Sequence, residues 1–126
     1  MPPPDQTLPL LSGTLELLVL RALRWEPTHG HGVREWIRLV TDGAFAVEEG
    51  TLYPLLHRME RRGWIESEWG TSEHGRRARF YTLTGPGRQH LPQLVGDWER
   101  YVAAVERALR YGNPRGLWAA RPPDRS

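Results

Sequence analysis

The stretch Gly50-Thr51-Leu52-Tyr53-Pro54-Leu55-Leu56-His57-Arg58-Met59-Glu60-Arg61-Arg62-Gly63-Trp64-Ile65-Glu66-Ser67-Glu68-Trp69 changes its apolar period partway along, and that change decides the fold. Up to Arg62, the residues Leu52, Leu55, Leu56 and Met59 recur at helical spacing on one face. Thr51, Tyr53, Pro54, His57, Arg58, Arg61 and Arg62 are left for the other side. The pattern predicts a helix over about 49–62 that buries one face and presents cations on the other. Gly63 stands where a left-handed residue closes a helix. Pro54 is tolerated because it falls in or next to the first turn, where its missing N–H has no intrahelical partner to lose. From Trp64 to Trp69 apolar and polar residues alternate, which is the period of a strand.

Working outward, Arg79-Phe80-Tyr81-Thr82-Leu83 reads as a second strand, joined to the first by the polar, glycine-bounded loop 70–78. Arg76, Arg77 and Arg79 put three guanidinium forks within four positions there. Upstream, Leu15, Leu18, Val19, Ala22 and Leu23 mark a largely buried helix over 13–25, with Ser12 as its N-cap and Glu26-Pro27 as its stop. A second helix spans about 30–41, with Val33, Trp36, Ile37 and Val40 inward. Downstream, Thr84 caps a fourth helix with Pro86 near its start, running to about Tyr111. Along it Leu91, Leu94 or Val95, Trp98, Val102, Val105 and Leu109 form a narrow heptad-type seam. The other helices are short and already have a core face, so the expected partner of that seam is the same helix of a second copy.

Three helices followed by a two-stranded hairpin, with the third helix basic outside, is the order of a winged helix-turn-helix, whose third helix enters the DNA major groove while the wing touches the backbone. The expected fold class is mainly α with a small β-hairpin: a winged helix-turn-helix domain plus a C-terminal dimerisation helix. The expected organisation is a disordered tail over 1–9, the DNA-binding domain over 10–84, the dimerisation helix over 85–111 and a flexible Pro- and Arg-containing tail over 112–126. Both tails are proline-rich without apolar periodicity.

A chain of 126 residues without cysteine excludes large two-lobed enzymes, disulfide scaffolds and thiolate chemistry. All 17 basic residues are arginine, and with 15 acids the formal net charge is only +2. The placement carries more than the total: from Leu56 to Arg79 there are six arginines against four glutamates, and the acids on the strands can point away from the tip. That local surplus attracts phosphate. The four serines lack a glycine-framed nucleophile turn, and no phosphate-cradling or dinucleotide motif is present, so no enzyme and no cofactor are expected. Neither a signal peptide nor a membrane span is expected, and the setting is read as cytoplasmic.

The block Gly50–Ile65 resembles the signature of the PadR family of transcriptional regulators, and Arg77–Gly87 resembles its wing and the start of the helix that follows. Ser12–Leu20 and Thr28-His29-Gly30-His31-Gly32 fit as well, so the likeness covers roughly 10–111. The resemblance implies a homodimeric winged-helix repressor on a pseudo-palindromic operator, released in several members by a small aromatic or lipophilic effector. It carries DNA contact onto Gly50, Thr51, Tyr53 and Pro54 and onto the wing residues Arg76, Arg77 and Arg79. The single C-terminal helix is shorter than that of the longer members.

Bland readings stand beside these. Thr51 and Tyr53 also read as a helix cap and a half-buried aromatic. Arg58 is assigned to the groove, but like Arg61 and Arg62 it also complements the negative end of its helix. Trp98 reads as a packing residue of the seam or as an indole that stacks a flat ligand. His29-Gly30-His31 is read as punctuation of the second helix, with no metal. The alternative function is a winged-helix protein–protein interaction module without sequence-specific DNA binding.

Overall fold

Seven elements form in the computed structural model, which describes residues 7–11 and 13–112, six of them along helical or strand periods of the sequence. These are α1 (Thr14–Ala22), β1 (Thr28–His29), α2 (Gly30–Val40), α3 (Glu49–Arg61), β2 (Ile65–Thr71), β3 (Arg77–Leu83) and α4 (Gly85–Arg110). The expected Ser12 cap and the tail residues 1–6 and 113–126 lie outside the described residues. Leu8 donates its N–H to the Ala44 carbonyl, so the chain is already tied down there.

The mainly α winged helix-turn-helix stands, with two corrections. The sheet has three strands rather than two, in the antiparallel order β1-β3-β2. Thr28 and His29 pair with Tyr81 and Phe80; a two-residue strand is too short to show a period, so only the partner makes it a strand. The hairpin is also longer than expected. Its ladder extends through Gly70↔Ala78 and Thr71↔Arg77, so Arg77 stands on β3 rather than in a loop, while Arg79 stands on that strand as expected. Gly70, which read as a loop boundary, lies inside β2, and the Phe80 ring occupies the space where a Cβ would be. The turn left over is 72–76, with Gly75 at φ 73°.

The core collects Val19, Leu20 and Leu23 from the first helical segment, Val33 and Ile37 from α2, Leu52, Leu55, Leu56 and Met59 from α3, and Ile65, Tyr81 and Leu83 from the wing root. Helix α1 stops at Ala22, three residues short of the expected end. Trp25 is exposed between the Arg21 and Arg24 guanidiniums, so no core contact holds another turn together.

Helix α3 is placed by its flanks. At its head, Arg34 of α2 donates to the Val47 carbonyl at 2.7 Å and pairs with Glu49. At its tail, Gly63 at φ 81° closes a Schellman motif, with Gly63 N–H to Glu60 O and Trp64 N–H to Met59 O. The helix begins at Glu49, so Pro54 lies in the second turn and not beside the first. Proline has no N–H to give, so it cannot satisfy the Gly50 carbonyl from four residues on.

Thr84 caps α4 as expected, its hydroxyl accepting from the Gly87 N–H and donating to the Gly63 carbonyl. The chain divides into one unit through Leu94 and a second from Val95 on, and α4 carries residues of both.

At Gly87 a Cβ would fall inside the van der Waals surface of the Trp64 carbonyl oxygen, a backbone atom that cannot swing away. Gly87→Ala therefore destabilises the domain by about 1–3 kcal/mol, although helix propensity alone favours alanine by about 1 kcal/mol. Urea denaturation with an unchanged m-value checks the sign.

Candidate nucleic-acid interface

The pleat of the wing sorts its side chains into two faces. Directly paired residues share a face, so Ile65 with Leu83, Ser67 with Tyr81, Trp69 with Arg79 and Thr71 with Arg77 form one side. It is buried at the root, where Ile65, Tyr81 and Leu83 join the core, and cationic toward the tip. Glu66 and Glu68 pair with Thr82 and Phe80 on the opposite side. The acids expected to turn away from the arginines do so.

The cationic end of that face lines an open groove of about 780 Å³ between the wing, the head of α2 and Tyr53 of α3. Its walls carry Arg76, Arg77 and Arg79, the imidazoles of His29, His31 and His74, and the rings of Tyr53, Trp69 and Tyr81. The Arg77 and Arg79 guanidiniums lie 4.5 and 5.5 Å from the Trp69 ring centroid. Arg79 is also held from below: its Nε donates to Ser67 Oγ at 2.9 Å, and Ser67 Oγ donates to Glu60 Oε2. Burial pushes the Tyr81 hydroxyl above its ordinary pKa, so it stays neutral at the groove floor. The side chain of Arg76 makes no hydrogen bond or ion pair among the described residues.

The groove thus brings together Tyr53, Arg76, Arg77 and Arg79. Gly50, Thr51, Pro54 and Arg58 stand outside it, exposed on the outer face of α3 along with His57 and Arg61. The side chains of Arg58 and Arg61 have no ion-pair partner among the described residues, whereas Arg62 reaches Glu16 at 3.4 Å and covers the Trp64 ring. The face holds donors uncommitted to the chain's own acids.

Sequence reasoning missed Trp69, His29, His31, Glu73 and His74 as groove residues. Trp69 gave a signal, an indole on the same strand period as Ile65, whereas the histidines did not. His29 does punctuate α2, its Nδ1 accepting from the Gly32 N–H at 2.9 Å, but its other nitrogen faces Glu73 Oε2 at 3.1 Å. Among the described residues no three His, Cys, Asp or Glu side chains converge as a metal ligand set.

In α4, Leu91 is 7% exposed and belongs to the core of the first unit. Leu94, Val95 and Val102 are half-buried, and Trp98, Val105 and Leu109 are exposed. The Trp98 ring stacks on Tyr101 with centroids 6.3 Å apart.

Residues 19–93 match the transcriptional regulator PadR-like family. The chain is 28% identical over 97 residues to an uncharacterised protein of Lysinibacillus sphaericus, an alignment covering 77% of this chain and 89% of that one. Among solved structures it is similar to a PadR family transcriptional regulator from Eggerthella lenta, at 31% identity and a TM-score of 0.67, covering 79% of this chain and 85% of the other. It is also similar to a PadR-like transcriptional regulator from Bacillus cereus, at 27% identity and a TM-score of 0.69, covering 81% and 97%.

The Tyr53 ring rests on Gly30, where a Cβ would stand 2.6 Å from the Tyr53 hydroxyl. Gly30→Ala forces the ring out of the groove and costs about 1 kcal/mol. In a Tyr53→Ala background the same change becomes neutral or stabilising, since alanine is the better helix former. A double-mutant cycle in urea measures that coupling.

Proposed function

Because the chain belongs to the PadR-like family of transcriptional regulators, we propose that it is a homodimeric, sequence-specific DNA-binding repressor acting on a pseudo-palindromic operator. Helix α3 lies in the major groove, where Thr51, Tyr53 and Arg58 meet base edges and nearby phosphates, and Gly50 and Pro54 let its first turns approach closely. The wing sets register through Arg76, Arg77 and Arg79 on the backbone. The observation that carries this reading is the sorting of charge on the wing: arginines on the groove face, with Glu66 and Glu68 on the other. Such an arrangement concentrates cations where the net charge of +2 would not suggest them.

Dimerisation is assigned to the seam of α4 from Leu94 onward, through Val95, Trp98, Val102, Val105 and Leu109. Apolar side chains left open in a row along a helix support a second copy as their cover. Trp98 of that seam stacks on the neighbouring Tyr101, and the pair suits a small aromatic or lipophilic effector that shifts the dimer away from its DNA-bound state. No helix among the described residues is long and apolar enough to cross a membrane, and the proposed setting is the cytoplasm.

Selection of bound fragments from a random duplex pool returns a palindromic consensus if this reading holds; no enrichment at low salt favours the protein-binding use of the same surface. For the selected duplex, log affinity falls with log salt at about −0.9 per phosphate contacted. Arg76→Ala with Arg77→Ala weakens specific and random DNA alike and flattens that slope by about two contacts. Trp98→Asp with Val102→Asp yields monomers by sedimentation that no longer bind a two-half-site operator, and a dimer that persists places the interface elsewhere.

A further inference from the structure

Among the described residues Glu73 is the only acid lining the groove, and it sits at the wing tip in the midst of the cations. Its carboxylate meets His29 Nε2 at 3.1 Å through one oxygen and lies 3.8 Å from His74 Nε2 through the other. The tautomer of the neutral His29 ring follows from its neighbours. Nδ1 accepts the Gly32 N–H that caps α2, so the ring carries its proton on Nε2 and points that donor into the groove. The imidazole cannot turn without breaking the cap. The ring is 13% exposed, stacked on His31 and edge-on to Phe80, whereas Glu73 is 61% exposed. A fixed donor is thus covered by a loosely held anion. The Glu73 carboxyl is held below its ordinary pKa, first by its own backbone N–H and next by His29, which favours its anionic form.

We propose that His29 Nε2, in the groove that His31 and Arg76 also line, is a binding site for a phosphodiester of the DNA backbone, and that Glu73 occupies it in the free protein as an intramolecular stand-in for that phosphate. This rests on the DNA-binding reading above and specifies which backbone contact the groove makes. A phosphate oxygen and a carboxylate oxygen accept the same N–H in the same way, so the two compete for one donor. When DNA seats between α3 and the wing, the 72–76 turn releases Glu73 and the phosphodiester takes its place. In the free protein the latch holds the wing tip against the head of α2 and cancels part of the groove's charge, which weakens binding to arbitrary DNA.

The test measures affinity for the selected duplex across a salt series with the full chain. Glu73→Gln tightens binding about twofold to fivefold, the range of one exposed ion pair, and more than Glu66→Gln, which removes an equal charge from the opposite wing face. His29→Asn keeps a side-chain acceptor for the Gly32 N–H and deletes the Nε2 donor. In that background the gain from Glu73→Gln falls to that of Glu66→Gln. An equal gain in both backgrounds means Glu73 only repels DNA and overturns the proposal, as does no gain at all. Should His29→Asn fail to fold, the ¹⁵N resonance of His29 Nε2 in the unmodified protein decides: it moves on adding duplex, and an unmoved resonance overturns the proposal. A shift with inorganic phosphate at matched ionic strength, but none with duplex, assigns the site to a free anion and also overturns it. If the unmodified protein binds no duplex at any salt, the DNA-binding reading falls and this inference with it; if it binds and only the latch variants fail, the DNA-binding reading stands.

Discussion

One threonine hydroxyl joins three segments of this domain. Thr84 Oγ1 donates to the Gly63 carbonyl just past α3 and accepts the Gly87 N–H in the first turn of α4, while the Thr84 N–H reaches the Trp64 carbonyl at the root of the wing. The end of α3, the start of β2, the end of β3 and the start of α4 therefore meet within a few ångströms of backbone. Gly87 is the steric condition for that meeting, because no side chain fits between it and the Trp64 carbonyl. The angle at which the wing leaves α3 follows from this junction, and with it the shape of the groove.

From that fixed root, strand alternation does the rest. A single pleated face runs from Ile65 and Leu83, which need the core, to Arg77 and Arg79, which need solvent or an anion. Burying the root forces the arginines onto the groove side, since a one-residue slip would send Tyr81 and Leu83 out and Glu66 and Glu68 in. Core packing and charge presentation are thus one constraint. The same logic governs α3, where burial of Leu52, Leu55, Leu56 and Met59 leaves Thr51, Tyr53, Arg58 and Arg61 on the open side.

The groove also shows a balance between attraction and self-neutralisation. Arg79 is committed to Ser67 and lies near Glu60, Arg77 to the Trp69 ring, and His29 to Glu73, while among the described residues the Arg76 fork has no partner. Guanidiniums stacked on an indole hold their direction at low entropic cost and keep their N–H edges available. A wing built this way presents ordered donors rather than a mobile cationic loop.

The local periods read in the chain itself were sufficient for the helix α3 with its closing Gly63, for the Thr84 cap and for the existence of a wing, because each depends on residues within one or two turns. They also placed cations on the outer face of α3 and near the wing tip. Other features were not legible because they depend on partners distant in sequence. The strand at Thr28–His29 exists only through β3, 53 positions away at the Thr28–Tyr81 pair. Gly70 reads as a loop residue until Phe80 fills the space above it, and Leu91 reads as seam until the core claims it. His29 shows why: one nitrogen answers a local need three residues away, which sequence reveals, and the other meets Glu73 44 residues away, which only the folded chain brings near.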